Sequence, residues 1–331
     1  MPTDTLNLIE VVKPGLATSV QDGGRQGYYH VGIPPSGSLD QYSSRAANLL
    51  VGNDENAAVL EFTLLGPDLL FHADALVALT GAEMTPKIDG VVQQSHTALR
   101  VRAGSKLSFE YVKRGARAYL AVAGGIDVPE VLGSRSTYTL GAIGGHEGRR
   151  LQKGDRIGFG ASRGAGREGT ELPPTMRAKL ENTVALRVLT GLYHYRLTDE
   201  SAQSFFDDEW IVAPEADRIG YRYKGGTPLR FRDREQPFGA GADPSNIVDA
   251  CYPIGSIQVP AGLEPIILHR DAVSGGGYAT IGTVISADMD LIGQMQPNHR
   301  ARFVSVTMDE ALAARKAYQH RLALLREALQ T

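Results

Sequence analysis

The chain has 331 residues, of which 42% are hydrophobic and 21% charged, with 38 glycines and 17 prolines. This composition suffices to bury a core and excludes a disordered or low-complexity protein. The length favours two domains over one. The 34 basic and 37 acidic side chains give a net charge of −3 and alternate in sign along the chain, which argues against a nucleic-acid partner and a polybasic membrane patch.

Cys251 is the single cysteine, which excludes an intrachain disulfide framework and a cysteine-rich zinc or iron–sulfur site. The first ten residues include Asp4 and Glu10 where a signal peptide has a basic and an apolar segment. The longest apolar runs are much shorter than a bilayer span. We therefore expect a cytoplasmic protein with no membrane partner.

Most of the first half consists of short β-rich segments separated by glycine. The segments with strand length are residues 59–65, 69–72, 75–80, 106–112, 117–123 and 156–159. Residues 87–92 contain Asp89 and Gly90 between β-branched residues, which predicts a hairpin because its tight turn requires positive φ. Asp40 is suited to cap a helix over residues 41–50 that stops at Gly52.

Glycines and prolines are concentrated in residues 158–174, and this composition predicts a linker or loop over residues 161–174. It would separate a domain of residues 1–160 from one of residues 175–331. The second half again has strand-like segments, at residues 185–190, 210–213, 221–223, 256–259, 265–269 and 279–285. Thr307 and Glu310 have capping-box spacing, and apolar residues at helical spacing predict a C-terminal helix from about 308 to 329.

Several standard sites have no support in the sequence. Without a GxxxxGK[ST] motif, nucleotide binding would need another loop or another subunit. The GxGxxG match at residues 164–169 runs into two prolines where a dinucleotide fingerprint needs a helix, so we interpret it as a chance match. The eight histidines form no HxH or HExxH pair, and no GxSxG elbow occurs, so we predict no metal site. Cys251 could be a nucleophile, although a lone buried cysteine is usually inert.

Polar residues within glycine-rich turns are the remaining candidates, because glycine lets backbone N–H groups approach a ligand closely. The first such stretch, residues 18–40, contains Asp22, Arg25 and Asp40. Arg25 offers a fork of donors for a carboxylate or phosphate, and Asp22 could orient it or act as a base. The alternative is an Arg–Asp pair that only holds the loop in place.

Two further stretches have the same character. Residues 133–137, which include Arg135 and Ser136, follow strand-like runs and could gather at one rim of a sheet. Residues 255–260 contain Gln258, and residues 271–278 begin at Asp271 and include three consecutive glycines. Three glycines lose much backbone entropy on folding, which suggests a compensating close approach, although tight turns alone could explain them.

These stretches are part of longer motifs that resemble a known family. The first half contains QDGGRQGYYHVGIPPSGSLDQYSSRAANLLVGN from residue 21, LEFTLLGPDLLF, LTGAE, RAYLAVAGGIDVPEVLGSRST and GGHEGRRLQKGD. The second half contains ADRIGYRYKG, GSIQVPAGLEPIIL, GGYATIGTVISAD and QMQP. Together they resemble the carboxyltransferase-like family that includes the C subunit of ATP-dependent 5-oxoprolinase, allophanate hydrolase subunit 2, an antagonist of a sporulation kinase inhibitor, and a segment of urea carboxylase.

The resemblance implies a mainly β protein of two cyclophilin-like β-barrel domains, with few helices and a C-terminal helix. It implies a homologue of the 5-oxoprolinase B subunit as partner, ATP hydrolysis by the assembled complex coupled to opening of a five-membered lactam, and a third subunit that completes hydrolysis to glutamate. The chain departs from the family at residues 274–279, SGGGYA where Thr-Gly-Gly-Tyr-Pro is usual, and at Pro297-Asn298 where Pro-Gly is usual. These differences bear on the substrate.

Three functions follow as hypotheses. The leading one is a subunit of ATP-dependent 5-oxoprolinase that is inactive alone. A second is a component of a biotin-dependent urea or amide carboxylase, with biotin on a separate carrier because the Met-Lys-Met signature is missing. A third is a non-catalytic partner that sequesters a kinase-inhibitor-like protein.

The two enzymatic hypotheses place the same demand on the site. Lactam opening and carboxyl transfer both develop negative charge on an amide oxygen, so the site needs cationic or N–H donors and a group that moves a proton. We predict catalytic roles for Asp22, Arg25, Asp40 and Asp271. We predict substrate-binding roles for Arg135, Ser136, Arg218, Gln258, Gly276 and Tyr278.

Overall fold

Short β-strands form most of the regular structure in both halves of the chain, which confirms the mainly β class. The computed structural model describes residues 7–162 and 166–329. Asp4 and residues 163–165 of the predicted linker, the last two of which also belong to the GxGxxG match, lie outside these described residues. The chain divides into two compact units. Unit 1 is Met1–Gln26, Ser36–Leu180 and Arg321–Thr331, and unit 2 is Gly27–Pro35 and Glu181–His320.

Unit 1 contains strands β1–β12 and the first helix. Their bounds are β1 Leu8–Lys13, β2 Thr18–Gln21, α1 Gln41–Leu50, β3 Val59–Thr63, β4 Asp68–Phe71, β5 Ala75–Glu83, β6 Pro86–Ile88, β7 Val91–Val92, β8 Ala98–Val101, β9 Lys106–Phe109, β10 Arg114–Val122, β11 Ile126–Asp127 and β12 Arg156–Phe159. They form a seven-stranded sheet, β11-β12-β1-β4-β9-β6-β7, and a five-stranded sheet, β2-β3-β10-β5-β8. Apolar side chains of both sheets share one core that includes Ile9, Phe62, Phe71 and Leu120.

Local sequence signals in unit 1 correspond to the structure. Strands β6 and β7 form the predicted hairpin, and both turn residues, Asp89 and Gly90, have positive φ, at 50° and 85°. This is the geometry that two-residue hairpin turns favour. Asp40 caps α1 as predicted, because its carboxylate accepts hydrogen bonds from the Ser43 N–H (2.9 Å) and hydroxyl (2.6 Å).

The described part of the predicted linker packs as a part of unit 1. The Ala98 N–H donates to the Thr170 carbonyl at 2.8 Å, and the Gly169 N–H donates to the Ala98 carbonyl at 2.9 Å. Leu172 is buried, and its N–H donates to the His96 carbonyl. These residues extend the edge of β8, so burial of Leu172 outweighs the loop-like composition around it. Unit 1 accordingly continues to Leu180, beyond the predicted end at residue 160.

Unit 2 contains the remaining strands and two short helices. Their bounds are β13 Thr183–Thr190, α2 Asp199–Asp207, β14 Trp210–Val212, β15 Gly220–Lys224, β16 Asn246–Cys251, β17 Ser256–Gln258, β18 Ile266–Leu268, β19 Gly275–Tyr278, β20 Thr280–Val284, α3 Met289–Gly293 and β21 Arg300–Ser305. Seven of the strands close a barrel in the order β13-β20-β17-β18-β15-β14-β21, and β16 and β19 form a separate two-stranded sheet. The six strand-like segments predicted in this half all contain strands.

Aromatic side chains fill one part of unit 2. The rings of Phe205 and Phe303 stack with centroids 4.6 Å apart. Trp210 is completely buried, and its indole N–H donates to the Phe205 carbonyl at 3.1 Å. Because the indole N–H is paired, burial of this large side chain leaves no cost from an unsatisfied donor there.

The C-terminal helix, α4 (Met308–Leu329), has the predicted bounds. The capping box forms as expected, with the Thr307 N–H donating to the Glu310 carboxylate at 2.7 Å. From Arg321 onward the helix belongs to unit 1. There the Arg321 guanidinium lies 3.7 Å from the ring centroid of Tyr42, and Arg326 makes two hydrogen bonds to Glu55, at 2.9 and 3.0 Å.

Two segments therefore belong to a different unit from the one predicted. Residues 321–331 were expected in the second domain, and residues 27–35 in the first. For the first of these, the cation–π contact with Tyr42 and the ion pair with Glu55 supply the attraction. No helix among the described residues is long and apolar enough to cross a membrane.

His96 generates a pH-dependence prediction. Burial, aided by Arg177, lowers its pKa from 6.5 to about 4. The unfolded chain binds the proton more tightly, so the stability contributed by neutral His96 is complete above pH 6.5 and is lost as pH falls toward 4. The full loss of unfolding free energy from protonation of His96 is about 3 kcal/mol. We expect His96→Asn, which tolerates the φ of 60° at this position, to flatten the decline in urea-unfolding free energy between pH 7 and 4. Equal slopes for both proteins would contradict the prediction.

Candidate functional site

The Asp22 carboxylate joins two loops of unit 1. Its Oδ1 accepts hydrogen bonds from the Gly24 N–H (2.8 Å) and from the hydroxyls of Ser134 (2.7 Å) and Ser136 (2.5 Å). Its Oδ2 accepts one from the Arg135 N–H at 2.6 Å. The structure thus brings Asp22, Arg135 and Ser136 together, and their roles in a site stay predictions.

Arg25 holds the same two loops from a buried position. Its side chain is 1% exposed, and its Nε and Nη2 donate to the carbonyls of Val131 (3.0 Å) and Ser136 (2.9 Å). A Cβ at Gly144 would lie 2.7 Å from Nη2 of Arg25 and 2.2 Å from the Ser136 carbonyl oxygen. Glycine at 144 is therefore required by close packing as well as by its positive φ of 68°. These bonds match the loop-holding alternative for Arg25; its contact with substrate stays a prediction.

Arg135 is the most exposed of these side chains. Its Nε donates to the Val128 carbonyl at 2.9 Å, and its Nη1 lies 3.4 Å from Glu130. The guanidinium side chain is 38% exposed, so it can still reach an anion in solution. In unit 1, Arg135 is the predicted cation best placed to contact a soluble ligand.

Asp40 is buried beneath the start of α1. Besides capping the helix, it donates its backbone N–H to the Tyr119 hydroxyl at 2.8 Å, and burial raises the pKa of Tyr119 well above its usual value. Two residues earlier, the Ser38 N–H donates to the Asp22 carbonyl at 3.0 Å. Asp40 is thus linked through the backbone to the loop that contains Asp22, and its carboxylate caps α1.

Unit 2 contains an ion pair between two predicted residues, the half-buried Arg218 and the buried Asp271. Nε of Arg218 lies 2.8 Å from Oδ2 of Asp271, and Nη2 lies 3.1 Å from Oδ1. The Asp271 N–H also donates to the Arg218 carbonyl at 3.0 Å. Asp271 is 4% exposed, so the pair fixes both side chains and sets the direction of the guanidinium plane.

A second group in unit 2 surrounds Tyr252, which the sequence analysis did not select. Its hydroxyl accepts from the Tyr278 N–H (2.7 Å) and donates to the Tyr278 carbonyl (2.8 Å). Burial raises the pKa of Tyr252, while hydrogen bonds from Tyr278 and Gln258 lower it. A Cβ at Gly276 would lie 3.1 Å from the Tyr252 ring. Three predicted residues, Gln258, Gly276 and Tyr278, therefore meet at one tyrosine, and no local motif in the sequence indicates it.

Cys251, by contrast, is exposed. The interpretation of a lone buried cysteine does not apply to it, because it lies on β16 of the small two-stranded sheet. Within residues 7–162 and 166–329, no group of three or more His, Cys, Asp or Glu side chains could hold a metal ion. A cavity of about 220 Å³ in unit 1, lined in part by Asp74, Arg100 and Phe159, contains none of the predicted site residues.

The loop bonds of Arg25 generate a stability prediction. Arg25→Ala removes the Arg25 donor of the buried Ser136 carbonyl and one of the donors of the half-buried Val131 carbonyl, so we expect the free energy of unfolding to fall by about 2 kcal/mol in urea denaturation. Arg135→Ala is the matched control, and its exposed side chain should cost about 1 kcal/mol or less. Unchanged stability of Arg25→Ala, or equal losses in both variants, would contradict the loop-holding role.

Comparison with known proteins supports a single family. A family model described as "Carboxyltransferase domain, subdomain A and B" matches residues 31–305. The chain is 38% identical to the 5-oxoprolinase C subunit of Escherichia coli over 312 residues, which are 94% of this chain and 96% of that protein. It is 35% identical to urea amidolyase of Saccharomyces cerevisiae over 318 residues, which are 93% of this chain but 17% of that protein.

Comparison with solved structures finds the same fold in a related protein. The crystal structure of Kluyveromyces lactis urea carboxylase matches with a TM-score of 0.90 and 33% identity, covering 98% of this chain and 30% of that chain. The chain therefore spans less than a third of the urea amidolyase and urea carboxylase chains that it matches. From the family model, the sequence identity and the fold together, the chain belongs to the family of carboxyltransferase domains with subdomains A and B.

Proposed function

We propose that this chain is the C subunit of an ATP-dependent 5-oxoprolinase and works with a homologue of the B subunit. One observation carries the proposal: the chain matches 96% of the length of the E. coli 5-oxoprolinase C subunit, at 38% identity. The match thus runs along nearly the whole of that relative, whereas it covers 17% of urea amidolyase. ATP is bound by the assembled complex, and a third, lactam-hydrolysing subunit finishes the reaction.

The chemistry of unit 2 suits an amide substrate. Opening a lactam develops negative charge on the amide oxygen, and a guanidinium held in a fixed direction stabilises that charge. Asp271 holds Arg218 in this way through two hydrogen bonds. In this proposal Arg218 contacts the substrate's amide oxygen or carboxylate. Asp271 orients the guanidinium, and Gln258 and Tyr278 assist in binding the substrate.

In unit 1 the proposal assigns proton movement to Asp22 and Ser136. Their 2.5 Å hydrogen bond places a carboxylate directly against a hydroxyl, the pairing that proton transfer requires. Arg135 presents a cation to solvent beside them. Arg25 and Asp40 act by holding the loop and the helix that place this pair.

The second candidate is biotin-dependent carboxyl transfer to urea or a related amide. The TM-score of 0.90 with K. lactis urea carboxylase favours it, and carboxyl transfer would develop charge on the same kind of oxygen. Biotin would arrive on a separate carrier, because this sequence contains no Met-Lys-Met signature. A regulatory role through binding of a kinase-inhibitor-like protein is the non-enzymatic alternative.

Reconstitution separates these functions. We expect the chain and its B-subunit homologue to co-elute in size-exclusion chromatography, and the complex with the third subunit to hydrolyse ATP in response to 5-oxoproline. L-proline, which lacks the ring carbonyl, is the control ligand. Turnover that requires a biotinylated carrier and urea would favour carboxyl transfer. A stable complex that turns over none of these compounds would favour regulation, and independent elution of the two chains would contradict the subunit proposal.

The role of Arg218 is tested by conservative substitution. Arg218→Lys keeps the charge and loses the two-pronged geometry with Asp271, so we expect turnover at least about tenfold lower with a small change in melting temperature. Arg222→Lys is the matched control, because Arg222 pairs with Glu264 at 3.0 Å in a half-exposed position of β15. Equal turnover in the two variants would remove Arg218 from the site.

A further inference from the structure

Arg196 is a cation that unit 2 buries without a carboxylate partner among the described residues. It is 3% exposed and lies between β13 and α2. Burial lowers the pKa of its guanidinium, and the nearby positive charge of Arg234 lowers that pKa further, whereas two tyrosine phenols raise it and no described carboxylate does. A buried charge without a partner of opposite sign is unfavourable. Arg196 is therefore in a position that an anionic ligand would stabilise.

Neutral groups surround the Arg196 guanidinium. Its Nη1 and Nη2 donate to the Asn246 carbonyl at 3.3 and 3.2 Å, and Nη2 also donates to the Pro244 carbonyl. The rings of Tyr193 and Phe231 have their centroids 5.7 and 5.8 Å from its Cζ. Its Nε is buried and finds no acceptor among the described residues. The guanidinium is thus held in one direction, while one of its donors is left unsatisfied at an energetic cost.

Arg234 brings a second guanidinium to the same backbone oxygen. Its Nη2 donates to the Asn246 carbonyl at 3.2 Å and to the side-chain oxygen of Gln236 at 2.8 Å. Arg234 is exposed, and it forms no ion pair within the described part of the chain, although Asp233 and Glu235 flank it in sequence. Two positive charges that meet at one neutral carbonyl repel each other, and an oxyanion between them would replace that repulsion with attraction.

We propose that Arg196 and Arg234 form a site in unit 2 for a small oxyanion, either a carboxylate or a phosphate. The exposed Arg234 contacts the ligand, and Arg196, held by two backbone carbonyls, supplies a fixed positive charge beside it. Guanidinium groups bind both kinds of oxyanion through charge-assisted hydrogen bonds. The inference goes beyond the proposed function, because it assigns to unit 2 a ligand contact apart from the Arg218–Asp271 pair, whichever amide reacts.

The test is isothermal titration calorimetry on the full chain with 5-oxoproline and with inorganic phosphate. We expect at least one of them to bind with a Kd below about 1 mM, and the affinity to fall as NaCl is added, because salt screens exposed charges. 2-Pyrrolidinone, the same lactam ring without the carboxylate, is the neutral control and should not bind at this site. Binding of 5-oxoproline assigns the site to a carboxylate, and binding of phosphate alone assigns it to a phosphate.

Arg234→Gln locates the site, because it removes the charge and keeps a donor. We expect it to weaken oxyanion binding at least about tenfold, with an unchanged melting temperature. Arg232→Gln is the matched control from the same segment and should bind as the wild type does, because Arg232 already pairs with Asp199 at 2.6 Å in an exposed position.

Hydrogen exchange measured by mass spectrometry gives a second readout. The bound oxyanion should slow exchange across residues 234–246 in the wild type and leave Arg234→Gln unprotected. Wild-type affinity in Arg234→Gln, or no binding of either oxyanion to the wild type, would overturn the proposal. Binding that survives in Arg234→Gln and disappears in Arg218→Lys would also overturn it, because the oxyanion would then lie at Arg218.

Discussion

The Asp22 carboxylate accepts four hydrogen bonds from residues 24 and 134–136, and the loops of unit 1 that contain the predicted site depend on it. Glycine-rich loops have few side chains to bury, so their backbone groups need polar partners from elsewhere in the chain. Asp22 supplies acceptors and Arg25 supplies donors to the same two loops. A loop held at so many points keeps the buried Ser136 and the partly exposed Arg135 in one arrangement, which a binding site requires.

In unit 2, different side chains hold the candidate contact residues in place. The Arg218–Asp271 pair fixes a cation beside β15, and Tyr252 fixes a glycine strand through its ring and its hydroxyl. In both units a buried polar group immobilises a neighbour that is a candidate for ligand contact. Substitutions at the buried group therefore alter stability and binding together, and exposed or conservative controls are needed to separate the two effects.

The family includes proteins of different extent and different activity. The E. coli 5-oxoprolinase protein is matched along 96% of its length, whereas the urea carboxylase chain is matched along 30%. 5-oxoproline and urea share an amide-type oxygen that must accept hydrogen bonds as charge develops. Under the proposed function, a guanidinium held as Arg218 is held suits either substrate, so we expect the attached polypeptides or domains to determine the reaction.

Local chemistry alone was enough to place most elements. The Asp40 cap, the Asp89-Gly90 turn and the Thr307 capping box each involve residues within a few positions of one another, so the sequence predicts them and the structure confirms them. The contacts of Arg25 and Tyr252, and the unit to which residues 27–35 and 321–331 belong, were decided by the tertiary structure. Arg25 donates hydrogen bonds to residues more than a hundred positions away. Periodicity and turn signals are local, so they do not predict a contact over such a sequence separation. The sequence determined which segments could be strands, helices and turns; only packing decided which of their side chains would meet, because contact between distant segments depends on the whole fold.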